Sequence, residues 1–394
     1  MTVFLLTACA GEPADELSHA DFEAVSSDED TALPGGEDRD AESIAAVWRD
    51  IYDGAAEAGT LGSTEIMGRI VARLGERGYA AVDAGNQVDM AGAEQVLRFV
   101  EAVEERESRT LTIVVIMGTG FRKFDLETRD GAVTVVRSYF QYDGNGSPQE
   151  RSTVSYRADY WEYTPEGYLI FSGSCLLPEA FVMTLDVRVE HTALRVLPLE
   201  ERCRELNRKY IMPTGYERNN MFLCNWDEED YGELDFYDVF DRFYPAVYGE
   251  PVPYAAAEDL EEEPVYMIPG DIFEQVITAY CSVDAAALRM KTKYSPEQAA
   301  YEYRPRGFYE AEYPDIPYPE VVNYNENPDG TITLTVNAVY PHDDTARSFS
   351  HETVIRPIDE NRFQYVSNQM LSAPEEYDTW WHTGRLTEAN PGPQ

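Results

Sequence analysis

Thr331-Ile332-Thr333-Leu334-Thr335-Val336-Asn337-Ala338-Val339-Tyr340 alternates apolar and polar side chains. In an extended chain Ile332, Leu334, Val336 and Ala338 share one face, and Thr331, Thr333, Thr335 and Asn337 the other. A helix would scatter them around its axis, so the stretch reads as a half-buried antiparallel strand. Asp329-Gly330 before it is a turn signal, and partner strands are expected at Ser348–Arg356 and Arg362–Ser367. An earlier region follows the same rules. Thr110–Met117 is Val/Ile-rich enough for a central strand, and Phe121–Thr128 and Ala132–Tyr142 flank the hairpin signal Asp130-Gly131. Asp143-Gly144-Asn145-Gly146 turns the chain into Ser152–Glu162, and Tyr168–Ser172 and Phe181–Val187 complete an antiparallel meander.

Helical periodicity precedes each set of strands. Ile44, Val47, Trp48, Ile51 and Tyr52 fall on one stripe. A second helix, N-capped by Ser63 and stopped at Gly78, carries Ile66, Met67, Ile70, Val71 and Leu74. A third carries Val96, Leu97, Val100 and Val103. Later, Leu199–Tyr210, Asp235–Tyr248 (Phe236, Val239, Phe240, Phe243) and Pro269–Tyr280 (Ile272, Phe273, Val276, Ile277) are helical, and a second sheet begins near Tyr301. The expected fold class is α+β, with two domains, 43–200 and 201–371, each packing helices on an antiparallel meander. The shared order of helices, Asp-Gly and strands hints at two related domains, although generic architecture explains it equally. Residues 372–394, with Trp380-Trp381, are expected to be a loose tail.

The 394 residues include 73 acids and 31 bases, a net charge of -42. Nucleic-acid binding as a main activity is excluded, because phosphate recognition needs a basic face. Electrostatic docking on anionic lipid is disfavoured for the same reason. No apolar run reaches the 18 or so residues of a spanning helix.

The N-terminus carries the sharpest motif. Leu6-Thr7-Ala8-Cys9, after a short apolar run, resembles the lipobox of bacterial lipoproteins, which makes Cys9 the expected site of lipid attachment behind a signal-peptide remnant at 1–9. No positive residue precedes the short run, which points to a start further upstream or a truncated chain. Residues 10–42 contain twelve acids and one base, Arg39, and are expected to form a disordered tether spanning about 30 Å.

Chemistry is sparse. Cys175, Cys203, Cys224 and Cys281 lack C-x-x-C spacing and are expected as buried free thiols. His191, His342, His351 and His382 show no zinc spacing, with His342 and His351 expected out of register on neighbouring strands. There is no nucleophile elbow, S-x-x-K, P-loop or dinucleotide fingerprint. Asp227–Asp238 approximates a calcium loop, but Tyr231 at position 5 and Asp238 at position 12 depart from it, so an acidic turn is expected. No catalytic, cofactor or metal residues are assigned. The tyrosines of 301–318 and Trp380-Trp381 could stack on sugar or serve as packing. The basic island Arg202, Arg204, Arg208, Lys209 and Arg218 could meet an anionic partner or neutralise the chain's own acids.

Four passages, Gly78–Asp83, Glu205–Tyr210, Tyr216–Asn220 and Tyr303–Tyr309, carry a resemblance to an uncharacterised family of lipoproteins from gut clostridia, over about Ala45 to Gln369. The resemblance implies an address and no catalytic residues. The reading is an extracytoplasmic lipoprotein anchored through Cys9 on a Gram-positive membrane, acting as a non-catalytic binding or interaction module for a glycan or envelope protein. The alternative is a cell-envelope enzyme, such as a carboxylate-dependent hydrolase of wall or dietary glycans.

Overall fold

The computed structural model describes residues 37–143, 146–175, 188–256, 264–307, 315–372 and 379–385. The fold is α+β, and its sheets are mostly antiparallel. In the first half, helices α1 (Glu37–Ala46), α2 (Arg49–Ala58) and α3 (Thr64–Glu76) precede strand β1 (Ala80–Asp83), helix α4 (Ala93–Glu104) and strands β2 (Arg109–Met117), β3 (Gly120–Arg129), β4 (Ala132–Tyr142) and β5 (Pro148–Arg157). These five strands form one sheet in chain order, with β1 parallel to β2 and the rest antiparallel. α1–α3 bury Ile44, Trp48, Ile70 and Leu74 against Ala81, Val114, Ile116 and Phe121 on one face. On the other face, Val96 and Phe99 of α4 meet Ile113, Val115 and Phe124. A strand covered on both sides must be apolar on both, which is why Thr110–Met117 reads as a near-continuous Val/Ile run.

Local signals explain most boundaries. The Ser63 hydroxyl accepts the Ile66 amide, and Asp130 and Gly131 both take positive φ (53° and 80°), the two-residue turn that matches strand twist. Four expectations differ. The tether expected through residue 42 ends earlier, because Ala41, Ile44 and Ala45 give α1 a buried face. The stripe from Ile44 to Tyr52 is two helices, broken at Val47–Trp48, and Leu97 is exposed, with Phe99 taking its place in the core. The later strands of the expected meander, β6 (Tyr160–Tyr163), β7 (Tyr168–Cys175) and β8 (Arg188–Arg195), form a separate sheet stacked on the first core through Leu169 and Phe171. The strand expected at Phe181–Val187 lies outside the described residues.

The second half is built on β13 (Tyr318–Glu326), β14 (Ile332–Tyr340), β15 (Thr345–Pro357) and β16 (Phe363–Met370), an antiparallel meander extended by β9 (Trp226–Asp227) on β16. β14 alternates as expected up to Val336, then is buried on both faces through Tyr340. The reason is the neighbouring sheet: Val339 and Ala346 pack against Tyr168, Ile170 and Ala193. Helices Phe236–Tyr248 and Gly270–Tyr280 bury Phe240, Phe243, Phe273 and Ile277 in the second core. β10 (Tyr266–Pro269), β11 (Tyr294–Ser295) and β12 (Ala300–Tyr303) make a small sheet beside them. Of the expected loose tail, residues 379–385 are packed: Trp381 is fully buried in that core, against Phe349 and Tyr216. No helix among the described residues is long and apolar enough to cross a membrane.

Candidate functional site

The helix Phe236–Tyr248 begins at Asp235, whose carboxylate accepts the amides of Tyr237 (2.8 Å) and Asp238 (3.3 Å) as an N-cap. Steps of three place Asp235, Asp238 and Asp241 along one side of the helix, opposite Val239, Phe240 and Phe243. Two arginines from distant segments meet them. Arg306, just beyond β12, grips Asp238 with both prongs (3.1 and 2.8 Å). Arg385, from the C-terminal segment, donates to Asp238 (3.0 and 2.8 Å) and to Asp241 (2.5 Å). Arg306 also donates to the Thr383 carbonyl and Arg385 to that of Arg304, so each arginine ties the other's segment in place. The Tyr303 hydroxyl donates to the second oxygen of Asp241 (2.6 Å), and the Arg385 guanidinium lies over the Tyr303 ring.

Three carboxylates thus share two guanidiniums, and Asp238, 2% exposed, takes the larger share. Asp235 has only Arg385 nearby, at 3.8 Å. Burial and the neighbouring Asp238 charge push its carboxyl up to about 6, against the opposing pull of Arg385 and the two amides. Burial also raises Asp241. For Arg385 burial acts downward, but the three aspartates outweigh it and hold the guanidinium firmly charged.

Two cavities flank this ionic wall. One, of about 400 Å³, is lined by Glu217, Arg218, Asp241, Arg242, Tyr254, Tyr303 and Arg306. The other, of about 290 Å³, is lined by Leu223, Cys224, Asp235, Asp238, His382 and Arg385. Burial pushes the Cys224 thiol up to about 12, so it is no nucleophile at neutral pH.

The residues singled out from sequence scatter differently. Cys9 lies outside the described residues. Cys175, Cys203, Cys224 and Cys281 are free thiols, Cys224 being only partly buried. The acidic stretch Asp227–Asp238 does not converge: Asp227 caps the amides of Glu229 and Asp230, Glu228 forks onto Arg356, Asp230 pairs with Lys291, and Asp238 points into the arginine cluster. Among the described residues no His, Cys, Asp or Glu side chains are grouped to hold a metal ion. Tyr301 and Tyr303 are buried rather than displayed, Trp381 is buried, and Trp380 is half-exposed beside His342. Tyr309 and Tyr313 lie outside the described residues. The basic island divides: Arg202, Arg204 and Arg208 pair with acids of the chain, whereas Arg218 lines the larger cavity.

The histidines also separate. His351 sits in the interior of β15 against Asn368 and Tyr216, and burial lowers its pKa to about 3. His342 lies in the turn before β15, its ring 4.9 Å from that of His191 on β8. Asp344 accepts the Ser172 hydroxyl (2.7 Å) and faces His191 (3.3 Å). The carboxylate stands between hydroxyl and imidazole, the wrong order for a Ser-His-Asp nucleophile, and the group reads as a seam between the halves.

Arg306, Arg385 and Asp241 were not legible as site residues. Two of the passages that carry the family resemblance nevertheless meet at the larger cavity, through Glu217 and Arg218 on one side and Tyr303 and Arg306 on the other. A family model described as a family of unknown function (DUF6070) matches residues 36–385, a span that takes in the arginine at 385. The chain belongs to this family. No curated protein and no solved structure matches it.

Proposed function

We propose that this DUF6070 chain is the body of an extracytoplasmic lipoprotein, anchored through Cys9 to the outer face of a Gram-positive membrane, that binds a ligand of the cell envelope without transforming it. The lipobox-like Leu6-Thr7-Ala8-Cys9 and the acidic stretch after it support the address, as does the resemblance to lipoproteins of gut clostridia. One observation carries the binding reading. In the larger cavity Asp241 is already held by Arg385 and the Tyr303 hydroxyl, while aromatic rings and the charges of Arg218, Arg242 and Glu217 still line the space. That is the chemistry of a polar recognition pocket, and a glycan is the ligand it suits best.

A thermal melt of the full chain against wall fragments and oligosaccharides tests the reading, with the same mixtures analysed by mass spectrometry. A ligand at 100 times its Kd stabilises by about 2.7 kcal/mol, a shift of several degrees with the ligand intact. Absence of acyl mass on Cys9 in the host would remove the anchor. The carboxylate-dependent hydrolase remains as a second reading because Asp235, with its carboxyl near 6, borders a cavity. Cleaved products that vanish in Asp235→Asn would decide for it.

A further inference from the structure

Charge accounting in the larger cavity leaves a remainder. Arg306 is spent on Asp238, and Asp241 on Arg385 and Tyr303. What faces the open space is Arg218, Arg242 and Glu217. Among the described residues neither Arg218 nor Arg242 has a carboxylate within ion-pair distance, and the single bond of Arg242 is from Nε to the Pro213 carbonyl (2.6 Å), which leaves its outer nitrogens uncommitted. In a chain carrying 73 acids to 31 bases, carboxylates were available in abundance to neutralise them.

Two features show that this remainder is built into the fold. Arg242 is half-buried, and burial lowers its pKa although the Glu217 charge opposes it, so a second anion placed against its outer nitrogens regains electrostatic energy. Arg218 holds a left-handed backbone, φ 53°, a conformation that Gly or Asn adopts more cheaply, so the chain carries local strain at the point where this side chain lines the cavity. Tyr254, half-buried and tilted at 54° to the Tyr303 ring with centroids 5.7 Å apart, offers a ring whose hydroxyl has no hydrogen-bond partner among the described residues. At about 400 Å³ the space is at the small end of ligand pockets, about 300–1,000 Å³, and suits one or two sugar rings.

We infer that the larger cavity takes an acidic sugar, whose carboxylate is gripped by Arg218 and Arg242 while the sugar ring lies against Tyr254. The inference rests on the reading of the chain as a glycan-binding module and adds the charge of the ligand to it. Guanidinium matches carboxylate in two parallel hydrogen bonds, which a neutral sugar cannot reproduce.

The experiment is calorimetric titration of the full chain with oligogalacturonate, a hyaluronan tetrasaccharide and a muramyl disaccharide, each beside its carboxyl-methyl ester and a neutral oligosaccharide of equal length. At least one acid should bind, with its ester tenfold or more weaker. Arg218→Gln, on an exposed side chain that can change without unfolding the core, should weaken that acid tenfold with an unchanged melting temperature. Arg242→Gln should do the same, and Arg151→Gln, on β5 of the first half, should not. Equal binding of acid and ester, or binding of the neutral sugar alone, would overturn the acidic ligand and leave the glycan reading standing. Binding to none of them, with a neutral wall protein or peptide fraction shifting the melt instead, would overturn both.

Discussion

Two of the buried ionic groups among the described residues are built on opposite terms. At the junction of the halves, Arg195 and Glu320 meet at 2.5 Å, one charge against one, with the Tyr168 hydroxyl on the other carboxylate oxygen and Asn86 bonded to the Arg195 amide, the Ala193 carbonyl and Tyr318. Both charged side chains are under a tenth exposed, and neither lines the two cavities described above. At the helix Phe236–Tyr248, three carboxylates share two arginines between two cavities. The balanced pair is structural: it fixes how one sheet lies on the other, because any sliding would strand a charge in a dry place. In the unbalanced group, burial and the Asp238 charge push the Asp235 carboxyl up to about 6 where it lines a cavity.

The comparison breaks first at the junction. Glu320→Ala should cost about 3–5 kcal/mol in urea unfolding, since it leaves the Arg195 guanidinium buried and unable to shed its charge. Lowering the pH from 7.5 to 5 should not restore it. A loss under about 1 kcal/mol would mean that water enters the junction. Trp381→Ala should cost a similar 3–5 kcal/mol by emptying the second core, whereas Trp380→Ala, half-exposed, should stay within about 1 kcal/mol. Equal effects would return residues 379–385 to a loose tail.

Arg385→Met should cost about 3 kcal/mol at pH 7.5 and much less at pH 5, because the stranded aspartates can take up protons where a stranded arginine cannot lose one. A pH-independent loss would erase the distinction between the two groups. Asp235→Asn keeps a capping side chain and acts through the charge alone. Asp235 binds its proton more tightly folded than unfolded, so its contribution is complete below about pH 4 and is lost as pH rises through about 6. The Asn variant should therefore be more stable than the parent at pH 7.5 and equal to it at pH 4. A variant less stable than the parent at pH 7.5 would show that the Asp235 charge is compensated after all.

The fold was largely legible because its signals are local. The Asp130-Gly131 turn, the Ser63 cap and the alternation of Ile332 to Val336 each act within a few residues. What was not legible depends on pairs far apart in the chain. The second-face burial of Val339 comes from Tyr168 and Ile170, and the packing of Trp381 from Phe349. The candidate site is the extreme case: the spacing of Asp235, Asp238 and Asp241 was visible, but nothing near them in sequence says that Arg306 and Arg385 arrive. One of the cavity residues, Arg218, was noted in the basic island and could be told from Arg202, Arg204 and Arg208 only once their partners were seen.

Asp238 also sets an order of events. Its partners lie 68 and 147 residues away, so while the chain is still collapsing the helix Phe236–Tyr248 carries three carboxylates along one side that repel one another. The repulsion is relieved only when Arg306 and Arg385 dock, so the helix is expected to be a late element of assembly and an early point of opening. Exchange of its amides with solvent should accordingly outpace that of β14, in the same core, by orders of magnitude.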